Sequence, residues 1–129
     1  MSWDNRIREY HAPFGIIVTV KPEFVPIADL SDDSIDPDTG QSYYDVDYMN
    51  RQVEFGEADW LMVKVECRLN GQEIGSSMLG GAFLTEDYDL KSFVYDNGMI
   101  DEAKSEGWKW YDEASDQMAE YKVEGWANT

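Results

Sequence analysis

The clearest pattern of apolar and polar positions in the chain lies near its C-terminal end, over residues 99–124. Apolar and small residues recur there at intervals of three and four, the spacing of one face of an α-helix. This stripe consists of Ile100, Ala103, Gly107, Trp110, Tyr111, Ala114, Met118 and Tyr121. Helix-start residues precede it at 96–98, and Gly125 is a natural stop. The pattern therefore predicts a long amphipathic helix packed on a core.

Acidic residues cover the opposite face of this predicted helix. They are Asp101, Glu102, Glu106, Asp112, Glu113, Asp116, Glu120 and Glu124. Several of them stand four residues apart, and like charges at that spacing destabilise a helix. Two interpretations of this face follow: a solvated surface of an acidic protein, or a negatively charged recognition surface.

A β-hairpin is predicted over residues 60–84. Apolar residues alternate with polar ones from residue 61 to residue 69, and Asn70-Gly71 is the strongest short hairpin signal. A two-residue turn would place Cys67 opposite Ile74 and Val63 opposite Met78, so that both partners join one apolar face. The pair Gly80-Gly81 predicts a bulge or a close approach of a helix.

The remaining segments give shorter elements. Residues 14–20 alternate as a strand that Pro22 ends, and residues 52–55 suggest a further short strand. Residues 22–50 hold no Lys or Arg and are predicted to form a long acidic loop. Residues 86–96 have helical spacing and predict a short helix or turn.

Together these elements predict an α+β fold in a single domain over residues 1–129. A small antiparallel β-sheet of roughly three to four strands, including the 60–84 hairpin, would pack against the long C-terminal amphipathic helix. A chain of 129 residues with 43% hydrophobic residues can bury a core of this size.

Charge is distributed unevenly along the chain. The net charge is −17, of which residues 22–50 and residues 85–129 each carry −8. Residues 1–21 carry +1, and the hairpin region is nearly neutral. Such a charge repels nucleic acid, so direct binding of DNA or RNA is not expected. The same charge would attract a basic groove, including a groove built for nucleic acid.

No pattern for a metal, a cofactor or an enzyme emerges. His11 and Cys67 are the only histidine and cysteine, too few for a zinc site, and Cys67 is expected to be a buried, inert thiol. The acids before Gly40 do not have the spacing of a calcium-binding EF-hand. The expectation is a non-enzymatic protein without cofactor, and an enzyme is the less favoured alternative.

The number of cysteines and the length of the apolar runs predict where in the cell the protein is located. A single cysteine excludes an internal disulfide and suits a reducing compartment. The N-terminal residues lack the apolar core of a signal peptide, and no run reaches the length of a membrane span. The prediction is a soluble cytoplasmic protein that does not bind membranes.

In size, acidity and predicted mixed fold, the chain resembles small acidic phage and plasmid anti-defence proteins, the anti-restriction and anti-CRISPR inhibitors of the DNA-mimic type. The resemblance implies a non-enzymatic inhibitor in the host cytoplasm. Its acidic surface would block a basic nucleic-acid-binding protein or complex, such as a CRISPR effector or a restriction enzyme. No motif carries the resemblance, so the candidate contact residues come from the acidic pattern. They are Asp32, Asp33, Asp36, Asp38, Asp45, Asp47, Glu102, Glu106, Asp112, Glu113, Asp116 and Glu120.

Two other hypotheses remain open. An immunity or antitoxin-like protein that neutralises a basic toxin would use a compact acidic and aromatic patch. That patch would contain Tyr43, Tyr44, Tyr48 and Asp47. An acidic protein from a high-salt cytoplasm would use its carboxylates only for solvation. A homodimer is also considered, because the outward face of the hairpin is half apolar.

Overall fold

The computed structural model describes residues 3–27 and 45–127, with side chains up to residue 116 in the last helix. Four strands form one antiparallel sheet in the order β1-β2-β3-β4. These strands are β1 (Asp4–His11), β2 (Phe14–Pro22), β3 (Ala58–Leu69) and β4 (Gln72–Thr85). The helices of the described residues are α1 (Val46–Glu54), α2 (Leu90–Asp96) and α3 (Met99–Ala127). The α+β class and the antiparallel sheet are thus confirmed.

The core lies between one face of the sheet and helices α2 and α3. Alternate residues of β2 and β3 point to this face, where Ile16 pairs with Cys67 and Val18 pairs with Val65. All four of these side chains are fully buried. The helices contribute buried apolar residues to the same cluster, namely Phe93, Val94, Met99, Ile100 and Ala103. The predicted short helix over residues 86–96 is confirmed as α2.

The Asn70-Gly71 hairpin is confirmed. Both residues have a left-handed backbone, with φ angles of 53° and 81°. A two-residue turn of this kind matches the right-handed twist of the strands, which is why Asn-Gly is favoured there. Leu69 pairs with Gln72, the pairing that such a turn sets.

Beyond the turn, the predicted register of the hairpin is wrong by one residue. The pairing shifts between Cys67 and Arg68, so that Cys67 pairs with Gly75 instead of Ile74. Ile74 is the extra residue of β4 at this shift, and it stays buried. Because the side-chain alternation of β4 changes there, Met78 pairs with Lys64 and is 53% exposed instead of joining the apolar face.

A second irregularity lies at the predicted glycine pair. Leu61 pairs with Ala82 while Val63 pairs with Leu79, so β4 accommodates one more residue than β3 over this interval. Gly81 has a φ of 70°, which a glycine adopts without steric cost. The bulge predicted from Gly80-Gly81 is confirmed.

Two elements differ from the sequence prediction. β1 was not predicted; it lies at the edge of the sheet and is rich in charged residues, so it lacks the apolar alternation of a buried strand. Residues 52–55 do not form a strand, because α1 covers most of them. The predicted loop over residues 22–50 therefore includes the first turns of α1, and residues 28–44 lie outside the described part of the chain.

Among the described side chains of α3, the apolar stripe is buried in the first turns of the helix, and Met118 and Tyr121 lie outside the described side chains. Ile100, Ala103 and Gly107 are buried, as predicted. Trp110 and Tyr111 were expected in the core, but they are 37% and 40% exposed. Amphipathic packing along the whole helix is therefore not confirmed.

Candidate functional site

The contact between α3 and the sheet is set by two glycines. A Cβ atom on Gly107 would lie 2.6 Å from Sγ of Cys67, and one on Gly75 would lie 2.7 Å from the backbone nitrogen of Gly107. The helix backbone can approach the β3–β4 pair this closely because neither residue has a side chain. Glycine is unfavourable in a helix interior, and this close approach to the sheet explains why Gly107 stands there. The contact fixes which face of α3 points away from the sheet.

Acidic side chains occupy the outward face of α3. Asp101, Glu102, Asp112, Glu113 and Asp116 are all exposed. No described residue forms an ion pair with any of these five carboxylates. Glu120 belongs to the same helix, but its side chain lies outside the described residues.

Glu106 differs from the other candidate residues on α3. Its Oε2 accepts a hydrogen bond of 2.8 Å from the backbone N–H of Ser76. Ser76 lies on β4, which is an edge strand of the sheet. The carboxylate of Glu106 therefore links α3 to the edge of the sheet. Glu106 is exposed, and this hydrogen bond gives it a structural role as well.

The second acidic element of the prediction is only partly described. Asp45 is the N-cap of α1, where Oδ1 accepts a hydrogen bond of 3.1 Å from the backbone N–H of Tyr48. Asp47 follows in the first turn, where the helix dipole favours negative charge. Both residues are exposed, so the N-terminus of α1 presents two carboxylates. The other four candidates, Asp32, Asp33, Asp36 and Asp38, lie outside the described residues.

An aromatic cluster borders the acidic face of α3. The ring of Trp108 contacts that of Phe14 edge-on, with centroids 4.8 Å apart, and also packs against Tyr111 at 5.7 Å. Trp108 is 43% exposed. The sequence pattern did not predict this cluster, because Trp108 lies outside the apolar stripe of α3. Its ring contacts Phe14, the first residue of β2, from beside that stripe. Acidic and aromatic groups thus adjoin on the outer side of the helix.

A polar network joins β1 to the helices on the covered face of the sheet. Glu9 is its centre: the hydroxyl of Tyr95 donates to Oε1 at 2.6 Å, and Nε2 of His11 lies 2.9 Å from the same oxygen. Lys91 approaches Oε2 at 3.5 Å, and Nζ of Lys104 lies 3.4 Å from Nδ1 of His11. The hydrogen bond from Tyr95, followed by that from His11, lowers the pKa of Glu9 below its ordinary value. The network stabilises the carboxylate form of Glu9 and holds the edge strand against α2 and α3.

Two further residues that the sequence singled out have defined surroundings. His11 is the last residue of β1 and lies within this network. Cys67 is fully buried under α3, and desolvation raises the pKa of its thiol. A raised pKa disfavours the reactive thiolate. Among the side chains that the structure describes, in residues 3–27 and 45–116, no group of three or more potential metal ligands is found.

Comparisons with protein-family models, with curated proteins and with solved structures found no match to this chain. No helix of the described residues is both long and apolar enough to cross a membrane.

Proposed function

We propose that this protein is a non-enzymatic inhibitor that presents the acidic face of α3 in place of nucleic acid. The target would be a DNA- or RNA-binding defence protein with a basic channel, such as a CRISPR effector or a restriction enzyme. The observation that carries the proposal is the row of exposed carboxylates on the side of α3 that faces away from the sheet. The proposal takes α3 as an amphipathic helix whose polar side is the contact surface.

The spacing of these charges supports the proposal. The five outward acids from Asp101 to Asp116 lie within about 23 Å at about 1.5 Å per residue. That is on average one carboxylate per about 5 Å of axis, against about 3.4 Å per phosphate along one strand of B-DNA. The average charge density of this face is thus somewhat lower than that of a single strand, and Lys109 lies in the gap between Glu102 and Asp112.

The target class follows from the same electrostatics. A groove that binds phosphates is lined by Lys and Arg, and a carboxylate row would enter it by long-range attraction. Association would be fast at low ionic strength and would weaken as salt screens the charges. The exposed rings of Trp108 and Tyr111 next to the acids would add contact area that a phosphate backbone lacks.

The test compares two triple variants with the same net charge. The face variant combines Asp112→Asn, Glu113→Gln and Asp116→Asn. Its control combines Asp4→Asn, Glu54→Gln and Asp87→Asn, three exposed acids away from the outer face of α3. Each removes two aspartates and one glutamate, so any difference between them reports position and not total charge.

Each variant and the wild-type protein would be used for affinity capture from a bacterial lysate at rising salt, with and without duplex DNA as competitor. We expect the wild-type protein and the control to capture the same nucleic-acid enzyme, and the face variant to lose it. Duplex DNA and high salt should both release it. Capture of that enzyme by all three proteins would refute α3 as the contact surface. Capture of a small basic toxin instead would favour the immunity hypothesis.

The captured enzyme would then be assayed for cleavage or binding of its nucleic acid. Wild-type protein should inhibit it, and the inhibition should decline as the DNA concentration rises, because the two compete for one groove. Inhibition that does not depend on DNA concentration would contradict mimicry. Full inhibition by the correctly folded face variant would contradict the assignment to α3.

A further inference from the structure

A cavity of about 360 Å³ lies at the end of the sheet, away from the outer face of α3. It opens where β1 and β3 begin, where β2 and β4 end, and where α2 begins. This size is within the range of pockets that bind small ligands.

The floor of the cavity is apolar. Val20, Ala58 and Leu84 line it and are almost fully buried, while Leu61 and Leu90 line it and are half-buried. A ligand with a hydrocarbon part would cover these apolar residues, whereas a fully hydrated ion would leave them uncovered.

The rim of the cavity carries mostly negative charge. Four carboxylates line it, those of Glu57, Asp59, Glu86 and Asp89, together with the single base Arg6. Asp89 also caps α2 by accepting a hydrogen bond of 2.8 Å from the backbone N–H of Ser92. Within the described part of the chain, none of the four carboxylates forms an ion pair. The rim thus favours a cation over an anion.

We propose that this cavity binds an aliphatic ammonium group. The hydrocarbon chain would cover Val20, Leu61 and Leu84, and the ammonium group would lie among the rim carboxylates. This chemistry belongs both to free alkylamines and polyamines and to the lysine side chain of a partner protein. The inference does not depend on the acidic face of α3, which lies on other residues.

The first experiment is an NMR titration of ¹⁵N-labelled protein with hexylammonium, ethylammonium and hexanoate at constant ionic strength. Each methylene that becomes buried should tighten binding about fourfold. We therefore expect hexylammonium to bind at least about tenfold more tightly than ethylammonium, and hexanoate not to bind. Shifts should be confined to residues of the cavity. Equal affinity for the two amines, or shifts centred on α3, would overturn the proposal, because they indicate unspecific attraction to a protein of charge −17.

Variants test the rim directly. Asp59→Asn combined with Glu86→Gln should weaken hexylammonium binding several-fold, whereas Arg6→Gln should tighten it by removing the one base. The matched control is Asp112→Asn combined with Glu113→Gln on α3, which removes the same two groups and should leave the affinity unchanged. All four positions are exposed, and the fold of each variant is checked by circular dichroism. Equal weakening by the rim variant and the control would refute the site.

A final comparison separates the two sources of the ammonium group. Nα-acetyl-lysine methylamide and butylammonium carry the same four-carbon chain, but only the first carries the peptide backbone. Tighter binding of the lysine derivative would assign the cavity to a partner's side chain, and tighter binding of butylammonium would assign it to a free amine. Binding of neither would overturn the proposal.

Discussion

Replacing Gly107 by alanine tests how closely α3 must approach the sheet. In an open helix this change would stabilise the protein by about 1 kcal/mol, because alanine has the higher helix propensity. Here the new Cβ would lie 2.6 Å from Sγ of Cys67, a buried atom under the helix. We expect the contact to reverse the sign of the effect.

The magnitude follows from two opposing contributions. Apolar heavy atoms pack at about 3.5–4.0 Å, so the helix or the Cys67 side chain must move by about 1 Å. Overfilling a packed core in this way costs about 1–3 kcal/mol. After the propensity gain is subtracted, Gly107→Ala should lower the free energy of unfolding by about 1 kcal/mol.

Removing the sulfur should restore the propensity gain. In a Cys67→Ala background the next atom of the sheet would be Cδ1 of Ile74 at 3.5 Å, which is ordinary van der Waals contact. Gly107→Ala should then stabilise the protein by up to about 1 kcal/mol, which gives a coupling of about 2 kcal/mol between the two positions.

The four proteins of this cycle would be compared by urea unfolding, followed by circular dichroism and tryptophan fluorescence. Gly15→Ala is the control, because a Cβ there has no neighbour within 4 Å and should show no coupling to Cys67→Ala. If Gly107→Ala stabilises the wild-type protein by the full propensity difference, or if the two changes are additive, the close contact is refuted.

Two further predictions concern the turn and the pH dependence. Gly71→Ala should lower the free energy of unfolding by about 1–2 kcal/mol in urea melts, because a φ of 81° is strained for alanine. Gln72→Ala, at the exposed neighbouring position, is the control and should have little effect. Equal effects of the two substitutions would contradict the turn. Tyr95→Phe removes the hydrogen bond that chiefly lowers the pKa of Glu9. A carboxyl group whose pKa is lowered by folding stabilises the folded protein at pH values above its ordinary pKa of 4.5. That stability is lost as the pH falls through the lower pKa of the folded state. The stability difference between wild type and Tyr95→Phe should therefore shrink as urea melts are taken from pH 6 to pH 3, and a constant difference would exclude this linkage.

Local signals in the sequence predicted the parts of the fold that depend on few residues. The Asn70-Gly71 turn and the Gly80-Gly81 bulge were both found, because each requires a backbone conformation that glycine and asparagine favour. The predicted register beyond the turn was wrong, because no residue type in the sequence signals that β4 has an extra residue at Ile74. β1 was missed because it owes its place to pairing with β2 and not to an apolar pattern of its own.

The candidate site shows the same division. The outward acids of α3 follow from helical periodicity alone, and the structure places those described on the exposed side. The prediction that Trp110 and Tyr111 lie in the core was wrong. Periodicity shows that the two residues share a helix face with the core residues, but it does not show how far the sheet extends beneath that face. The cavity at the end of the sheet could not be predicted, since its lining comes from separate segments that only the folded chain brings together.

The hydrogen bond between Glu106 and Ser76 makes the two edges of the sheet unequal. An edge strand with free N–H groups is a template on which another strand can add. On β4 a carboxylate of α3 already accepts one of these groups, so an incoming strand would have to displace it. Head-to-tail growth into a fibre needs two usable edges, whereas pairing of β1 with its own copy closes after two chains. Loss of the Glu106 carboxylate would therefore free the N–H of Ser76 for an incoming strand, while the carboxylate of Glu23 would still accept the N–H of Gly81 on the same strand.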